Sequence, residues 1–260
     1  MLLIKKICVH VFHRIKSERV KRIMSGKSVV IDCLTESLHN YDKGCAVVVV
    51  DVIRSITVAA TVVDSGRKCF FAPSVEAALL LSRRLDNPLL VGEMGGSMPY
   101  GFDLNNSPVE IESRKDISRP AILVSSSGIP LLYSLRDCNS VYVACLRNYG
   151  ATVNHLAGLC SRVVVLGAPT RGEFREEDQL CCAWIAAGLL KAGFTAEDDK
   201  TVEILNCWKD KAATVCGEGK SAEYLRRSGQ VRDLDFILGH VNDLNLPLAI
   251  RNDEIVKPTS

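Results

Sequence analysis

Short apolar runs recur along the chain, and longer segments with helical periodicity separate them. The clearest run is Ala46–Asp51, "AVVVVD", whose four successive valines leave no polar face. Such a run is typical of a strand that is buried on both sides. Further runs are "KCFFA", "PLLV", "PAILV", "SVYVAC" and "RVVVLG". This alternation predicts an α/β fold with three layers, α/β/α, around a largely parallel or mixed sheet.

The segments between these runs contain recognisable helix signals. Residues 176–193 form the clearest predicted helix, because the segment is acidic at its start and ends in Lys191 and Gly193. "SVEAALLLSRRL" predicts a helix with Ser74 as its N-cap. We also expect a helix in "SITVAATVVDSG", helices over residues 195–232, and a last strand or tail in "LPLAIRNDEIVKP".

The length and charge of the chain limit its organisation. A chain of 260 residues that is 47% hydrophobic can bury one sizeable core. Residues 1–27 hold eight Lys or Arg against one acid, Glu18, and we interpret them as a basic N-terminal extension. A targeting or membrane-surface segment is the alternative. Residues 28–260 are predicted to form a single α/β domain, and the net charge of +2 favours neither nucleic acid nor membrane as a partner.

Eleven cysteines are present, but none has the C-x-x-C spacing. The one adjacent pair is Cys181–Cys182, and most of the others lie in apolar runs. These features indicate reduced, buried thiols and a cytoplasmic protein, and they argue against a structural zinc site.

Polar residues collect directly after five of the predicted strands. Ligands of open α/β sheets bind beyond the carboxyl ends of strands, so these residues are the candidate site. They are Asp51 and Arg54; Glu93, Asp103, Asn106 and Ser107; Ser125, Ser126, Ser127 and Gly128; Arg147 and Asn148; and Arg171, Glu177 and Asp178.

These residue types suit an oxyanion bound beside a divalent cation. Mg²⁺ prefers carboxylate oxygens, and the predicted metal ligands are Asp51, Glu93, Asp103, Glu177 and Asp178. Phosphate prefers backbone N–H groups and a forked arginine, which Arg54, Asn106, Ser107 and the Ser125–Gly128 turn would supply. The predicted catalytic residues are Asp51, Arg54, Glu177 and Asp178.

Other catalytic signatures fit poorly. "CVHVFHR" has the C-x5-R spacing of cysteine phosphatases but lacks glycine, and Ile53 stands where aspartyl-phosphate phosphatases carry a second Asp. The chain has neither G-x-x-x-x-G-K-[ST] nor G-x-G-x-x-G. None of its five histidines follows a predicted strand, which argues against a Ser-His triad.

The blocks "VVVVDVIRS", "GEMGGSMPYGFDLNNSPVE" and "GEFREEDQLCCA" resemble, in this order, the 2-phosphosulfolactate phosphatase family. The resemblance covers about residues 47–193 and, more loosely, the later segments "SAEYLRRSGQVRDLDF" and "LPLA". The long G-E…G-F-D-L-x-N-S-P block is its most specific part. The matching positions are Asp51, Arg54, Gly92, Glu93, Gly101, Phe102, Asp103, Asn106, Ser107, Pro108, Asn148, Gly172, Phe174, Glu177 and Asp178. The departures from the family pattern are Ser55, Asn105, Ser127, Ile129 and Pro169.

The resemblance implies a Mg²⁺-dependent phosphoric monoester hydrolase that converts 2-phospho-3-sulfolactate to 3-sulfolactate, a step towards coenzyme M. Arg147, Asn148 and Arg171 would then reach the sulfonate or carboxylate of the substrate. Two alternatives stay open: a divergent member that hydrolyses another small anionic phosphoester or only binds an anionic metabolite, and a structural protein whose loop carboxylates are caps. The expected partner is a small anionic phosphoester, without nucleic acid or membrane, and the oligomeric state is left open.

Overall fold

The computed structural model describes residues 26–33 and 44–258, so most of the basic extension predicted for residues 1–27 lies outside the described residues. The strands are β1 (Ser28–Asp32), β2 (Ala46–Val50), β3 (Cys69–Phe71), β4 (Leu89–Gly92), β5 (Ala121–Val124), β6 (Val141–Ala144), β7 (Arg162–Gly167), β8 (Thr195–Ala196), β9 (Leu248–Arg251) and β10 (Glu254–Val256). The α-helices are α1 (Ser55–Asp64), α2 (Val75–Ser82), α3 (Pro108–Ser113), α4 (Gly128–Ser134), α5 (Tyr149–Leu159), α6 (Glu176–Lys191), α7 (Asp199–Trp208), α8 (Lys220–Arg227) and α9 (Val231–Gly239). A 3-10 helix covers Ala213–Glu218.

These strands form one sheet in the order β4-β5-β3-β10-β9-β6-β2-β7-β1-β8. Pairing is parallel within β4-β5-β3 and within β6-β2-β7-β1-β8. The β9–β10 hairpin lies between these two blocks and is antiparallel to both neighbours. Three successive antiparallel pairings therefore separate β3 from β6, and the two blocks run in opposite senses. The predicted α/β fold is confirmed, with a mixed sheet.

The valine strand β2 shows why the sheet needs helices on both faces. Val47 and Val49 pack into one buried cluster with residues of α1 and α4, whereas Val48 and Val50 pack into another with residues of α6. Burial of one valine side chain contributes roughly 1.5–3 kcal/mol, and here both faces of the strand contribute. The absence of a polar face in "AVVVV" follows from this arrangement.

Most predicted elements are confirmed, including α2, where Ser74 Oγ accepts a hydrogen bond from the backbone N–H of Ala77. The prediction of helix throughout 195–232 is wrong at its start, because Thr195 and Ala196 pair with β1. β1 and α3 were not predicted. The tail forms a hairpin, and its turn residues Asn252 and Asp253 both have positive φ, as tight hairpin turns require.

Two further expectations concern the described residues alone. Their cysteines are free thiols, as predicted, but the prediction that they are buried is wrong for Cys138 and Cys207, which are exposed. Within residues 26–33 and 44–258, no helix is both long enough and apolar enough to cross a membrane.

Candidate active site

A cavity of about 500 Å³ lies where β2, β4, β5 and β7 end. Neighbouring strands of a sheet are rotated by about 20–25° relative to one another, so strands that are far apart in the sheet differ strongly in direction. This twist allows loops from two oppositely directed blocks to line the same cavity. The lining residues are Asp51, Ile53, Arg54, Glu93, Gly95, Gly96, Asn106, Ser125, Ser126, Ser127, Thr170, Arg171, Arg175, Lys220, Ser221, Tyr224 and Leu225. Loops that follow both parallel blocks thus contribute to the same cavity.

Asp51 is the buried carboxylate of this cavity. Its Oδ2 accepts hydrogen bonds from the Ser55 hydroxyl at 2.7 Å and from the Gly128 N–H at 3.1 Å, and its Oδ1 accepts from the Ser55 N–H at 3.1 Å. Burial raises the pKa of Asp51, and the negative charge of Glu93 raises it further. A Cβ at position 128 would lie 2.5 Å from Asp51 Oδ2, so this close approach requires glycine.

Glu93 joins the loop after β4 to the loop after β5. Its Oε1 accepts from the Ser126 N–H at 2.8 Å, and its Oε2 accepts from the Ser126 hydroxyl at 3.0 Å and the Gly96 N–H at 2.6 Å. Gly92 lets the two loops approach, because its φ is 142° and a Cβ there would lie 1.9 Å from the carbonyl oxygen of Val124. Glu93 therefore fixes the shape of the cavity as well as lining it.

Asn106 also lines the cavity, and its side chain is almost fully buried. Among the described residues, its Oδ1 has no hydrogen-bond partner. A buried amide oxygen without a partner is costly, so a ligand or water that donates to it would be favoured here.

Four cations border the cavity, namely Arg54, Arg171, Arg175 and Lys220, against two carboxylates, those of Asp51 and Glu93. Asp233, which pairs with Arg54, and Glu173, which pairs with Arg175 and Lys220, lie outside the lining, so cations outnumber carboxylates only at the cavity surface. These cations and the serine hydroxyls suit an anionic ligand.

A tight turn places Arg171 at the cavity. The backbones of Thr170 and Glu173 pair in both directions, at 2.9 and 3.1 Å. Arg171 and Gly172 between them have positive φ values of 53° and 77°. Glu173 in turn accepts from Lys220 at 2.8 Å and from Arg175 at 2.7 Å, which brings these two cations together.

Glu177 and Asp178 lie in the first turn of α6, next to Asp51 but outside the cavity lining. Asp178 Oδ1 accepts from the Val52 N–H at 2.8 Å, whereas Glu177 Oε2 is buried without a partner among the described residues. Burial raises the pKa of Glu177 to about 7, although the Ser221 hydroxyl opposes the rise. Burial also raises the pKa of Asp178, and the charges of Glu177 and Asp51 add to it.

The structure separates the five predicted metal ligands. Asp51 and Glu93 line the cavity, whereas Asp103, Glu177 and Asp178 lie outside the lining. Within the described part of the chain, no three or more His, Cys, Asp or Glu side chains form a ready metal cluster. Mg²⁺ commonly uses only one or two protein carboxylates, however. A divalent cation would fit here. It would give the unpartnered Glu177 oxygen a partner and would reduce the repulsion among Glu177, Asp178 and Asp51.

Asp103 and Ser107 lie outside the cavity lining. Asp103 Oδ2 accepts from the Leu90 N–H at 2.8 Å, so it supports the middle of β4. Ser107 caps α3, because its hydroxyl oxygen accepts from the Glu110 N–H at 3.2 Å.

Arg147 and Asn148 also lie outside the cavity lining. Arg147 is buried, and its Nη2 donates to Asp64 at 3.0 Å and to Asp243 at 2.9 Å. Asn148 Oδ1 accepts from the Cys145 N–H at 2.9 Å, which shapes the turn after β6. Both side chains are committed to contacts within the protein.

One side of the cavity, lined by α8 and Arg175, was not predicted from the sequence. Lys220, Ser221 and Tyr224 face the cavity from one side of α8, and the Tyr224 hydroxyl donates to the Gly96 carbonyl at 2.6 Å. Tyr224 lies four positions after Lys220 and three after Ser221, and both spacings place side chains on one helix face, which is the signal in the sequence.

The chain is similar to several proteins of one named family. A curated relative from Synechocystis is 28% identical over 201 residues, which cover 74% of this chain and 83% of the relative. Relatives from Deinococcus radiodurans and Caldanaerobacter subterraneus are each 28% identical over 213 residues, covering 80% and 81% of this chain and 88% and 86% of their own lengths. All three are named "Probable 2-phosphosulfolactate phosphatase". The family model described as 2-phosphosulpholactate phosphatase matches residues 30–247, and the chain therefore belongs to the 2-phosphosulpholactate phosphatase family.

Proposed function

We propose that the chain is a Mg²⁺-dependent phosphatase that hydrolyses (R)-2-phospho-3-sulfolactate to 3-sulfolactate and phosphate. The observation that carries this proposal is the buried Asp51 carboxylate at a cavity bordered by four cations. Family membership and the names of the relatives support the same reaction.

The charges of the cavity match the proposed substrate, which carries a phosphate, a sulfonate and a carboxylate. We assign the phosphate to Arg54 and to Ser125, Ser126 and Ser127, which line the cavity with Asp51. Arg171, Arg175 and Lys220 would bind the sulfonate and the carboxylate. Forked arginine donors suit such oxyanions, because two N–H groups can meet two oxygens at once.

Hydrolysis requires water to attack phosphorus while the bond between phosphorus and the ester oxygen breaks. The ester oxygen leaves with the bonding electron pair and takes up a proton from solvent, which gives the hydroxyl of 3-sulfolactate. Asp51 is the proposed proton acceptor for this water, because its burial makes it more basic than an exposed aspartate. Glu177 and Asp178 would hold Mg²⁺ beside it. When bound, Mg²⁺ would neutralise negative charge on the phosphoryl oxygens.

One observation favours a second candidate, a divergent member that acts on another anionic phosphoester or binds an anion without hydrolysis. Ser127 stands where the family pattern has Asn, and its hydroxyl accepts from the Thr170 hydroxyl at 3.3 Å. A hydroxyl offers fewer hydrogen bonds than an amide, and this one already has a partner.

Phosphate release with Mg²⁺ and after chelation tests the proposal. The matched substrate is 2-phospholactate, which lacks only the sulfonate. We expect a higher kcat/KM for the sulfonated ester, loss of activity on chelation, and recovery when Mg²⁺ is returned. Binding of 2-phosphosulfolactate without phosphate release would favour the second candidate, and equal kcat/KM for both esters would contradict sulfonate recognition.

A further inference from the structure

One edge of the Arg54 guanidinium is held by the protein, while the residue also borders the cavity. Its Nη1 donates to Asp233 Oδ2 at 2.7 Å and to Gln230 Oε1. Only 4% of either the Arg54 or the Asp233 side chain is exposed. Within the described residues, Nη1 is the one nitrogen of this guanidinium that donates to protein. Nε and Nη2 therefore remain for a ligand.

The planar guanidinium determines where these two nitrogens point. The N–H groups of Nε and Nη2 project from the same edge, and this pair forms the fork that binds two oxygens of an oxyanion. We propose that Asp233, assisted by Gln230, is a positioning residue that turns the Nε–Nη2 edge of Arg54 toward the cavity to bind an oxyanion. Identification of that oxyanion as the phosphoryl group of the substrate rests on the proposed function.

Asp233 is itself fixed by contacts with the loop after β4. Its Oδ1 accepts from the Ser107 hydroxyl at 2.5 Å, and Ser107 also caps α3. Gln230 Oε1 accepts from Asn105 Nδ2 at 3.3 Å, and Gln230 Nε2 donates to Ser228 at 2.7 Å. The carboxylate that holds Arg54 is therefore held from its other side. This support limits the rotation of a long, flexible side chain.

The buried Arg147 shows what a purely structural arginine looks like in the same chain. Its Nε donates to Asp243, its Nη1 to Thr61 at 3.1 Å, and its Nη2 to Asp64 and Asp243. Every nitrogen of that guanidinium is used by the protein, and the residue lies outside the cavity lining. Arg54 differs on both points, as a ligand-binding arginine would.

Binding of inorganic phosphate, measured by calorimetry in the presence of Mg²⁺, tests the proposal without requiring turnover. Asp233→Asn keeps the size of the side chain but removes its charge, and we expect it to raise the phosphate Kd about tenfold. In an Arg54→Ala background the same substitution should change the Kd less than twofold, because its effect passes through Arg54. Asp243→Asn is the matched control: it should lower Tm and leave the phosphate Kd unchanged.

Unchanged phosphate affinity in Asp233→Asn would overturn the proposal, and so would a full tenfold loss in the Arg54→Ala background. A wild-type chain that binds no phosphate would overturn it as well. If Asp233→Asn does not fold, Gln230→Ala is measured in its place, because Gln230 is only partly buried. An increase in the phosphate Kd of about threefold in this variant supports the proposal, and no increase overturns it. If the Asp233→Asn and Arg54→Ala variants change the phosphate Kd as expected but the wild-type chain hydrolyses no ester, only the proposed function is contradicted.

Discussion

The backbone N–H of Gly128 donates to Oδ2 of Asp51 at 3.1 Å, and 77 positions of sequence separate the two residues. Asp51 follows β2 and Gly128 begins α4 after β5, so the bond connects the two oppositely directed blocks of the sheet. The same carboxylate faces the cavity, and its position depends on this contact.

Gly128→Ala should impair both folding and activity. The new Cβ would lie 2.3 Å from the Ser55 hydroxyl and 2.5 Å from Asp51 Oδ2, and relief of such a clash costs about 1–3 kcal/mol. We expect a lower free energy of unfolding in urea and a reduced kcat. Gly158→Ala is the matched control, because a Cβ there meets nothing within 4 Å, and helix propensity favours alanine. Equal stability of the two variants would contradict the tight contact.

Glu177 should make the metal-free protein less stable as pH rises. Its pKa of about 7 in the folded chain lies above the ordinary value of 4.5. Between these values the folded state binds more protons than the unfolded state, so the stability contributed by protonated Glu177 is lost across this window. Urea unfolding at about pH 5 and about pH 7.5 should therefore show a smaller loss of stability in Glu177→Gln than in wild type. Identical losses would show that Glu177 does not titrate in this range.

Arg147→Ala should destabilise the fold without weakening substrate binding. The substitution removes a buried guanidinium together with its hydrogen bonds to Thr61, Asp64 and Asp243, at a cost of about 1–3 kcal/mol. Unfolding in urea and steady-state kinetics on the folded fraction separate the two effects. A several-fold rise in KM with unchanged stability would instead support the sequence-based assignment of Arg147 to the sulfonate.

Lys220→Ala should raise KM more than it lowers kcat, because Lys220 borders the cavity and is exposed, where it would attract an anionic substrate. We expect an increase of about threefold to tenfold at low salt that shrinks as salt screens the charge. The matched control is Lys200→Ala, which removes an exposed, ion-paired lysine outside the cavity lining. The same KM shift in both variants would rule out a specific role for Lys220.

The strands of the core could be predicted because burial on both faces removes polar residues from them, as in β2. The hairpin of β9 and β10 could not be placed, since its pairing with β3 and β6 joins segments distant in sequence. Local periodicity carries no information about such partners. The direction of the two parallel blocks depends on this hairpin.

Some residues of the candidate site could likewise be predicted from the sequence, and others could not. Asp51 and Arg54 were predicted because they directly follow a strand, and both line the cavity. Arg147 also follows a strand, but the loop between α9 and β9 supplies Asp243 as a carboxylate partner that holds it elsewhere. Lys220 and Tyr224 follow no strand, so a rule based on strand ends could not find them.

The central claim, that Asp51 is the carboxylate that acts on the substrate, is tested most directly by the kcat for phosphate release from 2-phosphosulfolactate with Mg²⁺. Asp51→Asn and Asp103→Asn are compared, because both residues were predicted metal ligands but only Asp51 lines the cavity. We expect kcat to fall about 100-fold or more in Asp51→Asn and to change less than about twofold in Asp103→Asn. Wild-type turnover in Asp51→Asn, or an equal loss in both variants, would contradict the account.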